Sequence, residues 1–169
     1  MPLTLRPIEA GDAPDVQALY DATPETFVRL IGRPAPPDQA ANDLRQAAQT
    51  PGRYQYAVML DEQLVGLADC KLDDEVGGMA HIGLLLLQPP YDDPAIAGLV
   101  VRILIRWLEA LGALSVQVGV LAHVPDEIAF WDRQGFEFTG EQYRREFPGY
   151  APRILVMERE IAADSSEQK

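Results

Sequence analysis

Two histidines and several acidic side chains are the groups in this sequence that could exchange protons near neutral pH. His81 lies inside a strongly apolar segment, residues 79–88, and His123 follows a second apolar segment. Histidine suits general-base catalysis because its ordinary pKa lies close to physiological pH. His81 is therefore a candidate base, with Asp69 and Asp73 as alternatives. The competing interpretation is a histidine that only makes structural contacts inside a sheet.

The longest predicted helix has clear start and end signals in the sequence. Asp92, Asp93 and Pro94 precede apolar residues at offsets of three and four, the spacing of a helix that buries one face. Asp93 is suited to cap this helix, Pro94 to its first position and Gly112 to its end. A helix N-terminus binds anions through its free amides. An aspartate cap would occupy some of those amides and repel an anion.

The length and composition of the chain fit one globular domain. Its 169 residues are 47% hydrophobic and 24% charged, which is ordinary for a domain that buries a core. No linker divides the sequence, so residues 1–161 are expected to form a single domain. Residues 162–169 are expected to form a flexible C-terminal tail.

The chain is acidic, with a formal net charge of −12 and a pI of about 4.5. Such a charge repels nucleic acid and anionic membranes, and no apolar run is long enough to span a bilayer. An acidic surface would attract cationic amines, although the simpler interpretation is that it maintains solubility. The lone Cys70 offers neither a disulfide nor a metal-binding spacing. We therefore expect a cytoplasmic protein that binds no metal, nucleic acid or membrane.

Hydrophobic periodicity predicts alternating strands and helices. Strands are expected at residues 4–8, 54–60, 63–72, 79–88, 115–121 and 153–161, and a further strand is expected to begin at residue 136. Helices are expected at residues 25–31, 38–49 and 125–134, and two further helices are expected to begin at residues 11 and 94. The segment 79–88 is expected to be a central strand buried on both faces. Together with the long helix and strand 115–121 it predicts a β–α–β unit with parallel strands. The prolines from 89 to 94 are expected to keep that loop extended.

Three segments carry a resemblance to a known family. Residues 56–66, Tyr-Ala-Val-Met-Leu-Asp-Glu-Gln-Leu-Val-Gly, look like a second and third strand, and residues 80–91 look like a strand that leads into a cofactor loop. Residues 128–137 are similar to the signature Phe-Tyr-x-x-x-Gly-Phe-Glu. In this order they resemble the GNAT superfamily of N-acetyltransferases, from about Leu5 to Glu160. The resemblance implies an α/β (α+β) fold with a mixed, mostly antiparallel sheet and helices on both faces.

The resemblance also implies a reaction, the transfer of an acetyl group from acetyl-CoA to an amine of a small molecule or peptide. Backbone amides near Leu85 and Leu87 would polarise the thioester carbonyl. His81 takes the place of a glutamate that many family members carry on this strand. The cofactor pyrophosphate would bind amides at the start of the long helix, which are those of Ile96, Ala97 and Gly98. Homodimers are common in the family, so the resemblance makes a homodimer possible, while the sequence itself does not determine the oligomeric state.

Some positions depart from the family pattern. The family's cofactor loop carries Gln or Arg where this chain has Asp92, and glycine where it has Ala95. Trp131 takes the place of a tyrosine that often serves as the general acid. Because an indole cannot donate its proton in that role, Tyr91 and Tyr143 are the alternatives.

Three functional hypotheses remain open at this point. The first is an N-acetyltransferase whose acceptor pocket is formed by residues 20–31 and 143–150, as the resemblance implies. The second is a GNAT-fold binding or interaction module that binds acetyl-CoA weakly or not at all, favoured by Asp92, Asp93, Pro94 and Trp131. The third is an unrelated α/β ligand-binding domain. We favour the enzyme because acyl transfer is the commonest use of this fold.

Overall fold

A computed structural model describes residues 2–161. The expected tail at residues 162–169 lies outside them. In chain order, the described elements are β1 (Leu3–Pro7), a 3-10 turn (Ala10–Asp12), α1 (Ala13–Asp21), α2 (Pro24–Ile31), α3 (Gln39–Ala48), β2 (Arg53–Leu60), β3 (Gln63–Leu72), β4 (Met79–Leu87), α4 (Pro94–Ala110), β5 (Ser115–Leu121), α5 (Pro125–Arg133), β6 (Glu137–Arg144) and β7 (Arg153–Glu160). No helix within these residues has both the length and the apolar character that a membrane crossing requires.

The strands described within residues 2–161 form one sheet in the order β1-β2-β3-β4-β5-β7-β6. Strands β4 and β5 are parallel, with Met79 opposite Ser115, and every other neighbouring pair is antiparallel. The sheet is therefore mixed and mostly antiparallel, as predicted. The β4–α4–β5 crossover is the β–α–β unit expected from the sequence.

Helices cover both faces of the sheet, which confirms that prediction. On one face, α4 buries Val100, Leu104 and Leu108 against sheet residues such as Val65 and Val116. On the other face, α1, α2 and α3 pack over β2, β3 and the end of β4, around residues such as Tyr20 and Leu67. These two apolar clusters hold β4 in place along its length.

Local sequence rules account for both ends of α4. The Asp93 side chain accepts a hydrogen bond of 2.7 Å from the Ala95 amide, and Pro94 occupies the first helical position. Gly112 follows the helix with a φ of +99°, a conformation that glycine adopts without a steric penalty. The predicted cap and the predicted end are both confirmed.

Two local predictions are wrong. Strand β4 is central, but it is not buried throughout, because Gly83 is exposed and Leu84 and Leu85 are only half-buried. The loop after β4 does not stay extended either. It begins with a turn in which the Tyr91 amide donates a 2.7 Å hydrogen bond to the Gln88 carbonyl. The Pro89–Pro90 peptide bond in this turn is cis, the arrangement of a type VI turn.

Candidate functional site

A gap between β4 and β5 forms the centre of the candidate site. The two strands pair only from Met79 with Ser115 to Ile82 with Val118. At Gly83 the register of β4 against β3 also shifts, so the strand bends at that residue. Beyond Gly83, the edge of β4 that faces β5 has no strand partner within the described residues. Its backbone groups are therefore available to a ligand.

A cavity of about 500 Å³ occupies this gap. Its floor consists of residues from β4 and β5, including Leu84 and Gly119. Its walls come from α2, from the start of α4 and from α5, so segments distant in the sequence meet around one space. A cavity of this size at a break in a sheet is typical of a small-molecule site.

The predicted cofactor residues divide into two groups. Leu85, Leu87 and Ala97 line the cavity. Ile96 and Gly98 do not: Ile96 packs against the core under α4, and a Cβ atom at Gly98 would lie 3.3 Å from the Gln134 side chain. Gly98 therefore allows α4 to approach the end of α5. Because Gly98 is the fifth residue of α4, its amide belongs to the intrahelical hydrogen bonds, so of these two residues only Ile96 offers an amide to a ligand.

The start of α4 offers few free donors to a phosphate. Pro94 has no amide hydrogen, and the Ala95 amide donates to the Asp93 carboxylate. The Ala97 amide donates a 3.0 Å hydrogen bond to the Asp93 carbonyl. Within the described residues, the Ile96 amide is the one donor of residues 94–97 without a protein acceptor. The free edge of β4 thus fits the acyl end of acetyl-CoA, whereas the start of α4 fits a pyrophosphate poorly.

His81 lies outside the cavity lining. Its Nε2 atom is 2.8 Å from Asp73 Oδ2, in the turn between β3 and β4, and its side chain is 35% exposed. In the sheet it stands opposite Lys71 and Gln117. The structure thus brings two of the predicted base candidates together, His81 and Asp73, while the third forms a separate ion pair with Arg53. A role for His81 as the base stays a prediction.

The hydrogen bond from His81 holds the pKa of Asp73 well below its ordinary value, at about 2, with help from the amides of Val76 and Glu75. A carboxylate with a depressed pKa stabilises the fold above its unfolded pKa, near 4, and this contribution disappears as the pH falls through the folded pKa. The melting temperature of the protein should therefore exceed that of Asp73→Asn at pH 5, and the difference should vanish near pH 2.

Thermal melts followed by circular dichroism between pH 2 and 7 would measure this difference. Asp61→Asn, the same substitution at the exposed turn between β2 and β3, is the matched control. A difference between the protein and Asp73→Asn that is unchanged at pH 2 would contradict the assignment.

The residues considered as general acid have different surroundings. Trp131 stacks edge-on against Phe130 and Phe136, with both pairs of ring centroids 5.1 Å apart. It thus fills the core with one side and borders the cavity with the other. The Tyr143 hydroxyl would lie 3.3 Å from a Cβ atom at Gly119, which borders the cavity. Tyr91 packs against the core instead, so Tyr143 is the tyrosine better placed of the two.

Four charged side chains that border the cavity were not singled out from the sequence, namely Arg29, Asp126, Glu127 and Arg133. Burial raises the pKa of Glu127, and this effect exceeds the opposing influence of Arg29 and His123. Glu127 follows Asp126 in the first turn of α5, where acidic residues are ordinary helix-stabilising groups. Only its position in the cavity, near enough to Arg29 of α2 to feel its charge, distinguishes it, and no local pattern signals that position.

The single cysteine of the sequence is not an activated nucleophile. Cys70 is fully buried on β3, and burial raises its pKa to about 12. Within residues 2–161, no three His, Cys, Asp or Glu side chains cluster as ligands for a metal ion.

Solved structures share this fold. A crystal structure of an acetyltransferase from Thermus thermophilus is 22% identical, with a TM-score of 0.79 over 95% of this chain and 98% of that chain. The spermidine N-acetyltransferase of Vibrio cholerae, in complex with CoA and spermine, is 16% identical, with a TM-score of 0.75 over 92% and 94% of the two chains. The PaiA N-acetyltransferase of Thermoplasma acidophilum, in complex with coenzyme A, is 14% identical, with a TM-score of 0.68 over 95% and 99%.

Sequence comparison assigns the family. A search of curated proteins gives no significant match. The family model described as "Acetyltransferase (GNAT) domain" matches residues 2–137, which include β1 to α5 and the whole β4–α4–β5 unit. Because this match extends over most of the chain, the protein belongs to the GNAT acetyltransferase family.

Proposed function

We propose that this protein transfers an acetyl group from acetyl-CoA to an amine of a small molecule or peptide, in the cavity between β4 and β5. The observation that carries this proposal is the unpaired edge of β4 beyond Gly83, next to that cavity. Backbone amides along this edge, near Leu85 and Leu87, are suited to polarise a carbonyl because strand pairing fixes their orientation.

Acetyl-CoA would supply the acyl group as a thioester. The free β4 edge would hold the acyl end, and the Ile96 amide at the start of α4 is the donor left for the pyrophosphate among the described residues 94–97. Since the Asp93 carboxylate lies at the same helix end, we expect weak affinity for the nucleotide half of the molecule.

Charge supports a cationic amine as the acceptor. The cavity borders three acidic side chains, Asp92, Asp126 and Glu127, and two arginines, Arg29 and Arg133. These acidic side chains lie within a chain of net charge −12, so an ammonium group is attracted both from a distance and inside the cavity. One structural neighbour is named as a spermidine N-acetyltransferase, and spermidine is a suitable first acceptor to assay. The homodimer and the cytoplasmic location stay predictions.

The test is a calorimetric titration of acetyl-CoA into the protein at moderate salt. We expect saturable binding with a dissociation constant of roughly 10 μM to 1 mM, weaker than a pyrophosphate held by a free helix N-terminus would give. Acetylation of spermidine would then be followed by the release of CoA thiol. Cys70 would add little background because it is buried.

The alternative function is a binding or interaction module without turnover. It is favoured by one observation, the 2.7 Å hydrogen bond from the Ala95 amide to the Asp93 side chain, because this bond takes a donor that a phosphate would otherwise use. No detectable heat with acetyl-CoA at millimolar concentration would favour this alternative and contradict the transferase.

A further inference from the structure

Glu127 is a carboxylate held inside the cavity by the fold. It lies in the first turn of α5 and is half-buried, and Arg29 in the last turn of α2 borders the same space. No ion pair within 4.0 Å joins Glu127 to a basic side chain in residues 2–161. Its oxygen atoms are therefore not neutralised by a direct partner, and they are available to a ligand.

The charged groups near Glu127 come from each neighbouring element. Arg29 on α2 and His123 in the loop before α5 act on it electrostatically. Asp126 and Arg133 on α5 itself, and Asp92 before α4, border the same cavity. Besides Glu127, two acidic and two arginine side chains thus border the cavity, so the charge of the rest of its lining is close to balanced. Burial is the dominant influence and raises the pKa of Glu127, which brings the carboxylate closer to the range useful for proton transfer.

We propose that Glu127 binds the ammonium group of the acceptor amine and takes the first proton from it. This inference rests on the proposed acetyltransferase function, and it names a residue for the base. Glu127 borders the cavity, whereas His81 does not and is bonded to Asp73. A base must reach the proton that it removes, and of these two side chains Glu127 meets that condition.

The ammonium nitrogen gives one proton to Glu127 and becomes a neutral amine. This nitrogen then forms a bond to the acetyl carbon, and the carbon–sulfur bond breaks with its electron pair on sulfur. The nitrogen loses its second proton to the sulfur, so CoA leaves as a thiol. Glu127 returns its proton to solvent before the next turnover.

Binding of a simple ammonium ion, without acetyl-CoA, tests whether Glu127 holds the ammonium group. The probe is n-butylammonium, added to protein labelled with 13C at the glutamate side-chain carboxyl carbon, and the Glu127 signal is assigned by its absence in Glu127→Gln. We expect a saturable shift of this signal at millimolar probe, and no shift with the neutral analogue n-butanol. Saturable binding measured by calorimetry should be lost in Glu127→Gln and kept in Asp132→Asn, an exposed site on the same helix. Absence of the shift would overturn the proposal.

Turnover of an amine substrate tests whether Glu127 removes the proton. With n-butylamine as acceptor, Glu127→Gln should lower kcat/KM by about a hundredfold or more, the usual effect of removing a general base, while Asp132→Asn should not. The rate of the unmodified protein should fall as the pH drops through the pKa of Glu127, because the protonated carboxyl cannot accept a proton. This fall in rate at acidic pH should be absent in Glu127→Gln. Circular dichroism would verify that the variant is folded.

The outcomes separate this proposal from the function on which it rests. Full activity of Glu127→Gln, in a protein that acetylates n-butylamine, would overturn the role of Glu127 and leave the transferase intact. A shift of the Glu127 signal in a protein that neither binds acetyl-CoA nor acetylates amines would support the ammonium site and contradict the transferase.

Discussion

Replacing Asp92 with arginine and Asp93 with glycine is expected to tighten acetyl-CoA binding by roughly tenfold to a hundredfold. The Asp93 carboxylate now accepts the Ala95 amide at 2.7 Å, so its removal frees that donor for a phosphate. Two negative charges also leave the helix end that favours an anion, and the introduced arginine adds a positive charge beside the cavity that Asp92 borders. Glycine is an acceptable cap, so the loss of helix stability should be only a few tenths of a kcal/mol.

Calorimetry with acetyl-CoA would measure this gain. The matched control is Asp61→Gly with Glu62→Arg at the exposed turn between β2 and β3, which alters the net charge equally but does not border the cavity. Glycine also suits position 61, because the φ of Asp61 is +54°. Equal tightening in the control would mean that overall charge, and not the helix end, limits binding. An unchanged affinity in the loop variant would show that the pyrophosphate does not use this helix end.

The cap residues show where sequence reasoning succeeds. Asp93, Pro94 and Gly112 were assigned from rules that involve only neighbouring residues, and the structure has each in the predicted place. Strands β2 and β3 also lie where they were predicted, because Asp61 and Glu62 separate two apolar segments of strand length. Burial does not alternate along either strand, since both faces of this part of the sheet are covered. Local stereochemistry therefore predicts the elements and most of their boundaries.

The contents of the cavity depend on contacts that no local rule contains. The apolar residues 79–88 predict a central strand but not the point at which β5 separates from it, so the exposure of Gly83 could not be anticipated. Glu127 resembles any acidic residue of a first helical turn until Arg29 and α2 are placed across from it. His81 was predicted from its residue type, and its orientation toward Asp73 depends on the β3–β4 turn. The fold was thus more predictable than the site.

The second large effect concerns Gly66, which lies on β3 beside β4. A Cβ atom there would be 2.6 Å from the Leu86 carbonyl oxygen, 2.6 Å from Leu87 Cδ2 and 3.2 Å from Val58 Cβ. The first of these contacts is with backbone, so relief requires β4 to move and not merely a side chain to rotate. We expect Gly66→Ala to lower the free energy of unfolding by about 2–3 kcal/mol, as overpacking of a dense core does.

Urea denaturation of Gly66→Ala would measure this loss, with Gly77→Ala as the control. Gly77 lies in the exposed turn between β3 and β4, where an added Cβ meets nothing within 4 Å, so its substitution should alter stability by less than about 1 kcal/mol. The displaced part of β4 includes Leu87, which borders the cavity. Acetyl-CoA binding should therefore weaken in Gly66→Ala under conditions where the variant is still folded. Equal stability of the two variants would mean that β3 and β4 are packed less closely than the structure shows, and that the β4 edge is not held rigidly enough to orient a thioester.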